Sequence, residues 1–197
     1  MRRTKPESRQ DMTLANKITL SRIILVPVFI IFTIPDATWS RLLAASIFVI
    51  ACATDPLDGY FARSRSEVTV FGTFLDPLAD KLLTISAFVI LVKYQVVAAW
   101  MAIIVISREV VITGLRAMIS QQTGTVMPAN RWGKVKTWAQ MVGGSILLFM
   151  IPSWDYSREV SLKLPAVANF IMSIILVATV WSGWVYVKDY KGHITNS

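Results

Sequence analysis

The chain has 197 residues, of which 54% are hydrophobic and only 16% are charged, and its net charge is +8. A soluble domain usually has about a quarter of its residues charged, so this composition excludes an ordinary soluble domain and indicates a membrane protein. Nucleic-acid binding is disfavoured, because the positive charge is not arranged on a polar face with interleaved aromatic residues. The single cysteine, Cys52, cannot form an intramolecular disulfide and gives no sign of an oxidising compartment.

Six apolar runs follow one another, each about as long as a membrane-spanning helix. They predict an all-α, polytopic membrane protein with six transmembrane helices in a single domain, residues 14–190. A polar cytoplasmic N-terminus, residues 1–13, would precede the domain, and a cytoplasmic tail, residues 191–197, would follow it. We also expect a short N-terminal interfacial helix before the first run. The runs cover residues 18–35, 40–62, 72–92, 96–120, 134–152 and 165–187.

The N-terminal region admits two interpretations. Basic residues followed by an apolar run are typical of a signal peptide as well as of a first membrane span. No convincing small-x-small cleavage site follows the run, which favours the membrane span.

The lysines and arginines are distributed unevenly between the two sides of the predicted bundle. With six spans both termini lie on one side, whose flanks hold thirteen basic residues, whereas the other side holds four. Because basic residues are enriched on the cytoplasmic side of membrane proteins, both termini are expected to face the cytoplasm. The connection between the second and third spans, residues 63–71, is then cytoplasmic as well.

Four aspartates lie at these cytoplasmic ends: Asp55 and Asp58 close the second run, and Asp76 and Asp80 open the third. The spacings i,i+3 and i,i+4 place each pair on one helix face, and the short connection lets the two pairs converge. Four carboxylates suit Mg²⁺, Mn²⁺ or Ca²⁺ rather than zinc, and a pair of such ions suits phosphoryl transfer. The structural alternatives are an N-cap followed by proline at Asp76 and a turn at Asp58 and the following glycine.

The stretch from Asp55 to Asp80 matches a known signature without substitution, D-x2-D-G-x2-A-R-x8-G-x3-D-x3-D. In this it resembles the CDP-alcohol phosphatidyltransferase family. The resemblance implies a six-helix membrane fold, a homodimer, and a location in the bacterial cell membrane with the active site facing the cytoplasm. It also implies that Asp55, Asp58, Asp76 and Asp80 hold two divalent cations, Mg²⁺ above all, and that Asp80 is the general base. The residues implied for CDP-diacylglycerol binding are Gly59, Arg63, Thr69 and Gly72.

The signature specifies the donor of the phosphatidyl group, CDP-diacylglycerol, but not the alcohol that accepts it. The remaining basic residues are informative about this acceptor. Arg108 and Arg116 lie within the fourth run, and Lys134 and Lys136 open the fifth on the same side. Converging cations indicate an anionic acceptor, since arginine is well shaped to bind phosphate. In the alternative interpretation, Arg116 pairs with Glu109 as a structural bridge and the lysines are ordinary cytoplasmic anchors.

Four further segments, residues 16–22, 76–81, 107–116 and 133–140, resemble those of family members whose acceptor is glycerol 3-phosphate. This closer resemblance implies that Arg108, Arg116 and Lys136, with Lys134, bind the acceptor phosphate. Inositol phosphate, phosphatidylglycerol and an uncharged alcohol remain alternative acceptors. An ion or proton transporter is disfavoured, because the acids cluster at one face and no duplicated half appears. Weaker substrate-binding candidates are Asn16, Thr19 and Arg22.

Overall fold

The computed structural model describes residues 14–65, 70–123, 131–154 and 164–194, with side chains described for residues 23–54, 81–116, 118, 131–151 and 165–189. These residues form six helices and no strand, which confirms the predicted all-α class. Each helix coincides with one apolar run to within several residues. The helices are α1 (Leu14–Phe32), α2 (Thr38–Arg65), α3 (Val70–Lys93), α4 (Ala99–Thr123), α5 (Arg131–Trp154) and α6 (Leu164–Ile194).

The beginning of α1 differs from the expectation. The helix is continuous from Leu14 to Phe32, so the prediction of a separate interfacial helix is wrong for the residues from Leu14 onward. The physical reason is that no glycine or proline precedes Pro27 in this segment, and Asn16 and Lys17 cost little inside a helix.

Aromatic and aliphatic side chains form the core between the helices. Phe29 of α1 and Phe48 of α2 are buried with their ring centroids 6.2 Å apart. Leu91 of α3 and Leu147 of α5 are also fully buried in this cluster. The closest helix pairs are α5 with α6, α1 with α3, α1 with α2, and α2 with α5.

The outer surface of the bundle is strongly apolar. By length and composition, one helix in the described residues qualifies as a membrane span, α6 over Pro165–Asp189. Charged residues such as Arg108 and Glu109 interrupt the apolar character of other helices. Large exposed apolar side chains nevertheless occur on all six helices, a surface that soluble monomers rarely present and that suits contact with lipid. Examples in chain order are Ile24, Leu43, Val89, Ile103, Trp138 and Phe170.

Contacts between two loops establish the relative direction of α2 and α3. Lys93 Nζ and Tyr94 Oη, at the end of α3, donate to the carbonyl oxygen of Thr33 at 3.3 and 3.0 Å. The guanidinium of Arg41, near the start of α2, lies 4.7 Å from the centre of the Tyr94 ring. The start of α2 and the end of α3 therefore meet at one end of the bundle. The C-terminal part of α2 and the N-terminal part of α3 lie towards the other end, as expected for an antiparallel hairpin.

The close packing of α5 against α6 predicts a difference between two neighbouring glycines. A Cβ atom on Gly143 would lie 2.7 Å from Ile175 Cδ1 and 3.2 Å from Ile171 Cγ2, whereas one on Gly144 would lie 3.6 Å from the Phe48 ring. We expect Gly143→Ala to destabilise the bundle by about 1–3 kcal/mol, the usual cost of overpacking, and Gly144→Ala to cost less. Thermal unfolding in detergent would measure this, and equal midpoints for the two variants would contradict the packing.

Candidate functional site

A buried carboxylate, that of Glu109 on α4, is the centre of a polar cluster where α3, α4 and α5 meet. Glu109 is only 2% exposed. Its Oε2 atom forms a salt bridge with Lys81 Nζ of α3 at 2.9 Å. Its Oε1 atom forms a salt bridge with Lys136 Nζ of α5. Burying an ion is costly unless it is paired and hydrogen-bonded, and here both carboxylate oxygens have a cationic partner.

Two further donors complete the surroundings of this carboxylate. Arg108 NH1 lies 3.3 Å and Gln140 Nε2 lies 3.2 Å from Glu109 Oε1. Three donors therefore meet Oε1, which has two lone pairs, and one described donor meets Oε2. The three cations, Lys81, Arg108 and Lys136, are thus held around one negative charge.

The cluster combines three positive charges with one negative charge, so these four side chains carry a net charge of +2. A phosphate monoester carries about −1.5 to −2 at neutral pH and offers three acceptor oxygens. Lysine and arginine donors bind such oxygens through charge-assisted hydrogen bonds. The cluster is thus suited to binding a small anionic phosphate compound.

The α6 helix supplies polar contacts that the sequence interpretation missed. Arg108 NH2 donates to Ser182 Oγ at 2.8 Å, and Gln140 Nε2 lies 3.3 Å from Thr179 Oγ1. Thr179 and Ser182 are buried. Their i,i+3 spacing, which puts two hydroxyl groups on one face of an otherwise apolar helix, was the available signal.

The predicted acceptor cations separate into two groups. Arg108 and Lys136 belong to the Glu109 cluster. Arg116 lies two turns further along α4, about 12 Å by helix rise, and it is exposed, as is Lys134. The described partners of the Glu109 carboxylate are Lys81, Arg108, Lys136 and Gln140. For Arg116 and Lys134, phosphate binding stays a prediction.

The helices that carry the four aspartates contradict both structural alternatives. The α2 helix continues to Arg65, past Asp58 and Gly59, so no turn occurs there. The α3 helix begins at Val70, so Asp76 lies inside the helix and is not its N-cap. Helical backbone through both pairs preserves the spacing that puts each pair on one face.

The side chains of residues 55–80 lie outside the described part of the chain, and so do those of residues 14–22. The predicted roles of Asp55, Asp58, Asp76 and Asp80 therefore stay predictions. Among the described side chains, no group of three or more His, Cys, Asp or Glu is suited to a metal ion. The same limit applies to the other predicted residues of these segments, Asn16, Thr19, Arg22, Gly59, Arg63, Thr69 and Gly72.

One described contact joins the aspartate motif to the cationic cluster. Lys81 follows Asp80 directly in α3, and its ammonium group contacts Glu109 at 2.9 Å. The last aspartate of the motif is therefore adjacent in the chain to a member of the cluster.

A family model described as CDP-alcohol phosphatidyltransferase matches residues 12–185, nearly the whole chain. The chain belongs to the CDP-alcohol phosphatidyltransferase family. Members of this family are membrane-associated enzymes that generally depend on a divalent cation. The apolar outer surface of the bundle agrees with that setting.

Individual relatives are similar over most of their length. The chain is 43% identical over 185 residues to the CDP-diacylglycerol–glycerol-3-phosphate 3-phosphatidyltransferase of Bacillus subtilis, covering 88% of this chain and 92% of the relative. Proteins of the same name from Haemophilus influenzae and Escherichia coli K12 are each 36% identical. These matches cover 91% and 90% of this chain and 94% of each relative. The resemblance inferred from the sequence motifs is confirmed.

Proposed function

We propose that this phosphatidyltransferase moves the phosphatidyl group of CDP-diacylglycerol to sn-glycerol 3-phosphate, which gives phosphatidylglycerophosphate and CMP. The observation that carries the proposal is the Glu109 cluster, where three cations surround one carboxylate and one of them, Lys81, follows Asp80 directly in the chain. Its net positive charge is complementary to a phosphate monoester. The names of the similar proteins support the same acceptor.

The charge of the cluster also discriminates among the alternative acceptors. An uncharged alcohol would leave Lys81, Arg108 and Lys136 with an excess charge that nothing on the substrate balances. A hydrogen-bonding site that finds no partner on its ligand rejects that ligand strongly. Inositol phosphate satisfies the same charge requirement, and the relatives' names favour glycerol 3-phosphate over it.

The four aspartates form the donor half of the proposed site. Asp55, Asp58, Asp76 and Asp80 offer only oxygen ligands, which suit Mg²⁺ and Mn²⁺ alike, and the family resemblance favours Mg²⁺. When bound, such cations neutralise the charge of the donor's pyrophosphate. The cytidine diphosphate group would lie against residues between the two pairs, Gly59, Arg63, Thr69 and Gly72.

The chain's own residues perform the remaining steps of the proposed mechanism. Arg108 and Lys136 bind the acceptor phosphate and thereby orient the C1 hydroxyl group of glycerol 3-phosphate. Asp80 accepts the proton of that hydroxyl group. The hydroxyl oxygen of glycerol 3-phosphate then forms a bond to the phosphorus that carries diacylglycerol. The bond from this phosphorus to the pyrophosphate bridging oxygen breaks, and CMP leaves with the electron pair. Positioning and charge neutralisation supply most of the rate enhancement.

The proposed arrangement in the membrane follows from the distribution of basic residues. All six helices would cross the bacterial inner membrane, with both termini on the cytoplasmic side. The aspartates would then lie at cytoplasmic helix ends, within reach of water-soluble glycerol 3-phosphate and of the inner-leaflet lipid donor. A homodimer is the proposed assembly, on family resemblance.

An acceptor panel tests the proposed function. Purified protein in detergent micelles would be given CDP-diacylglycerol, Mg²⁺ and one acceptor at a time: glycerol 3-phosphate, inositol phosphate, phosphatidylglycerol or glycerol. We expect CMP release and phosphatidylglycerophosphate with the first acceptor and little turnover with the others. CMP release with another acceptor only would reassign the substrate, and no CMP with any acceptor would favour a transporter.

A further inference from the structure

We propose that α6 positions the acceptor arginine: Ser182 and Gly183 hold the Arg108 guanidinium in the orientation that receives the phosphate of the acceptor. This inference rests on the proposed function, because it assigns Arg108 to the acceptor. It adds a role for the last helix, whose sequence is otherwise that of an apolar membrane span.

The Ser182 hydroxyl is oriented to accept a hydrogen bond from Arg108. Its own proton is directed to the carbonyl oxygen of Thr179, which lies 3.0 Å from Ser182 Oγ in the preceding turn. A hydroxyl group has one donor and two acceptor lone pairs, so the lone pairs face Arg108 NH2 at 2.8 Å. Ser182 is only 3% exposed, and a buried hydroxyl with both functions satisfied is a well-defined anchor.

Gly183 gives the arginine side chain access to the α6 backbone. A Cβ atom at this position would lie 3.3 Å from both Cγ and Nε of Arg108. Such a contact is tighter than ordinary van der Waals packing, so any larger residue would push the arginine away from α6. The glycine therefore determines how closely Arg108 approaches Ser182.

The guanidinium is fixed at two atoms and retains donors for a ligand. NH1 is bonded to Glu109 and NH2 to Ser182, which occupies two of the five N–H groups of arginine. The Nε atom is buried without a described hydrogen-bond partner. Because Nε is enclosed against Gly183, the N–H groups that remain for phosphate oxygens are one on NH1 and one on NH2, on a side chain whose position is set before the ligand arrives.

Fixing the side chain in advance matters because arginine has many rotamers. Arginine and lysine side chains each carry about 2 kcal/mol of rotamer entropy, and ordering such side chains on binding weakens the affinity for the ligand. Glu109 orders Lys136 and one end of Arg108, and Ser182 with Gly183 orders the other end. Through Ser182 and Gly183, α6 is thus a positioning element for acceptor affinity.

Ser182→Ala tests the anchor. We expect the apparent KM for glycerol 3-phosphate to rise about tenfold, the usual effect of losing one hydrogen bond to a charged group. The KM for CDP-diacylglycerol and kcat should stay within about twofold, because the donor half and Asp80 are untouched. The matched control is Ser173→Ala on the same helix, where the exposed hydroxyl bonds only the Asn169 carbonyl of the preceding turn.

A double-mutant cycle shows whether Ser182 acts through Arg108. Lysine lacks the NH2 group, so Ser182→Ala should have little further effect on the acceptor KM in an Arg108→Lys background. Additive effects of the two substitutions would overturn the positioning role. Equal increases in the KM values of donor and acceptor would indicate a general loss of structure and would overturn it as well.

Gly183→Ala provides an independent variant if Ser182→Ala folds poorly. We expect an acceptor KM raised about three- to tenfold, with an unfolding midpoint close to that of the wild type. Gly144→Ala is its control, since a Cβ atom there meets only ordinary contact with Phe48. If wild-type protein releases no CMP with glycerol 3-phosphate, the proposed function fails. If it turns over and neither α6 variant changes the acceptor KM, only the positioning role fails.

Discussion

Asp80→Asn is expected to lower kcat by about 10²–10⁴-fold, the usual contribution of a general base, while the protein stays folded and membrane-inserted. Asparagine has nearly the same shape as aspartate but cannot accept the hydroxyl proton. It also removes one of the four negative charges proposed to hold the divalent cations. Initial rates of CMP release at saturating donor, acceptor and Mg²⁺ would measure the effect.

Asp36→Asn is the matched control for this substitution. Asp36 lies in the connection between α1 and α2, its side chain is 82% exposed, and it contacts Arg41 at 3.4 Å. A carboxylate this exposed contributes little to stability through such a contact, and the residue is remote from the aspartate motif. Its turnover should equal that of the wild type.

Two readouts separate the possible roles of Asp80. Titration with Mn²⁺ would show whether Asp80→Asn still binds divalent cations. Near-native turnover with the cations bound would refute the assignment of Asp80 as the base. Lost turnover with retained cation binding is the outcome expected of a base, and loss of both would show that Asp80 is required for cation binding.

The positions of the helices could be predicted from sequence because the signal is local. An apolar run of about 20 residues predicts a helix with no knowledge of its neighbours, and each of the six helices that the structure describes coincides with such a run. One local signal gave a wrong alternative. Asp76 followed by proline resembles a helix start, but α3 begins at Val70. The apolar residues before Asp76 extend the helix backwards, so the cap signal has no effect there.

The role of Glu109 could not be predicted in the same way. Sequence spacing offers only partners on the same helix, such as Arg116 one heptad along. The described partners are instead Lys81 of α3 and Lys136 and Gln140 of α5, together with the adjacent Arg108. Such long-range pairs depend on which helices are neighbours. That information is not contained in the periodicity of any single helix.

Hydroxyl groups in apolar helices are similarly uninformative in isolation. Ser145 and Ser173 bond carbonyl oxygens of their own helices, a common and structurally neutral arrangement. Ser182 makes the same type of bond but additionally accepts from Arg108. Only the position of α4 against α6 distinguishes it from the other serines.

Glu109→Ala is expected to destabilise the bundle by about 3–5 kcal/mol, the usual cost of removing one member of a buried ion pair. The substitution removes the carboxylate that pairs Lys81, Arg108 and Lys136, in a site where Lys136 is 3% exposed. Turnover should fall as well, because the cations lose the group that orients them. Thermal unfolding in detergent and CMP release would measure the two effects.

Glu109→Gln separates the charge from the hydrogen bonds. Glutamine keeps an oxygen that accepts from Lys136 or Gln140 but contributes no negative charge, so its unfolding midpoint should lie between those of wild type and Glu109→Ala. A midpoint equal to that of Glu109→Ala would assign the stabilisation to charge alone.

Ligand rescue connects this stability effect to the proposed acceptor. A phosphate dianion supplies the negative charge that Glu109→Ala lacks, and a ligand that binds only the folded state stabilises it in proportion to its affinity. We therefore expect glycerol 3-phosphate to raise the unfolding midpoint of Glu109→Ala more than that of the wild type, and uncharged glycerol at the same concentration to have no such effect. Equal stabilisation of both proteins by glycerol 3-phosphate would mean that the acceptor phosphate binds away from Glu109, and the cationic cluster would then be a purely structural feature of the bundle.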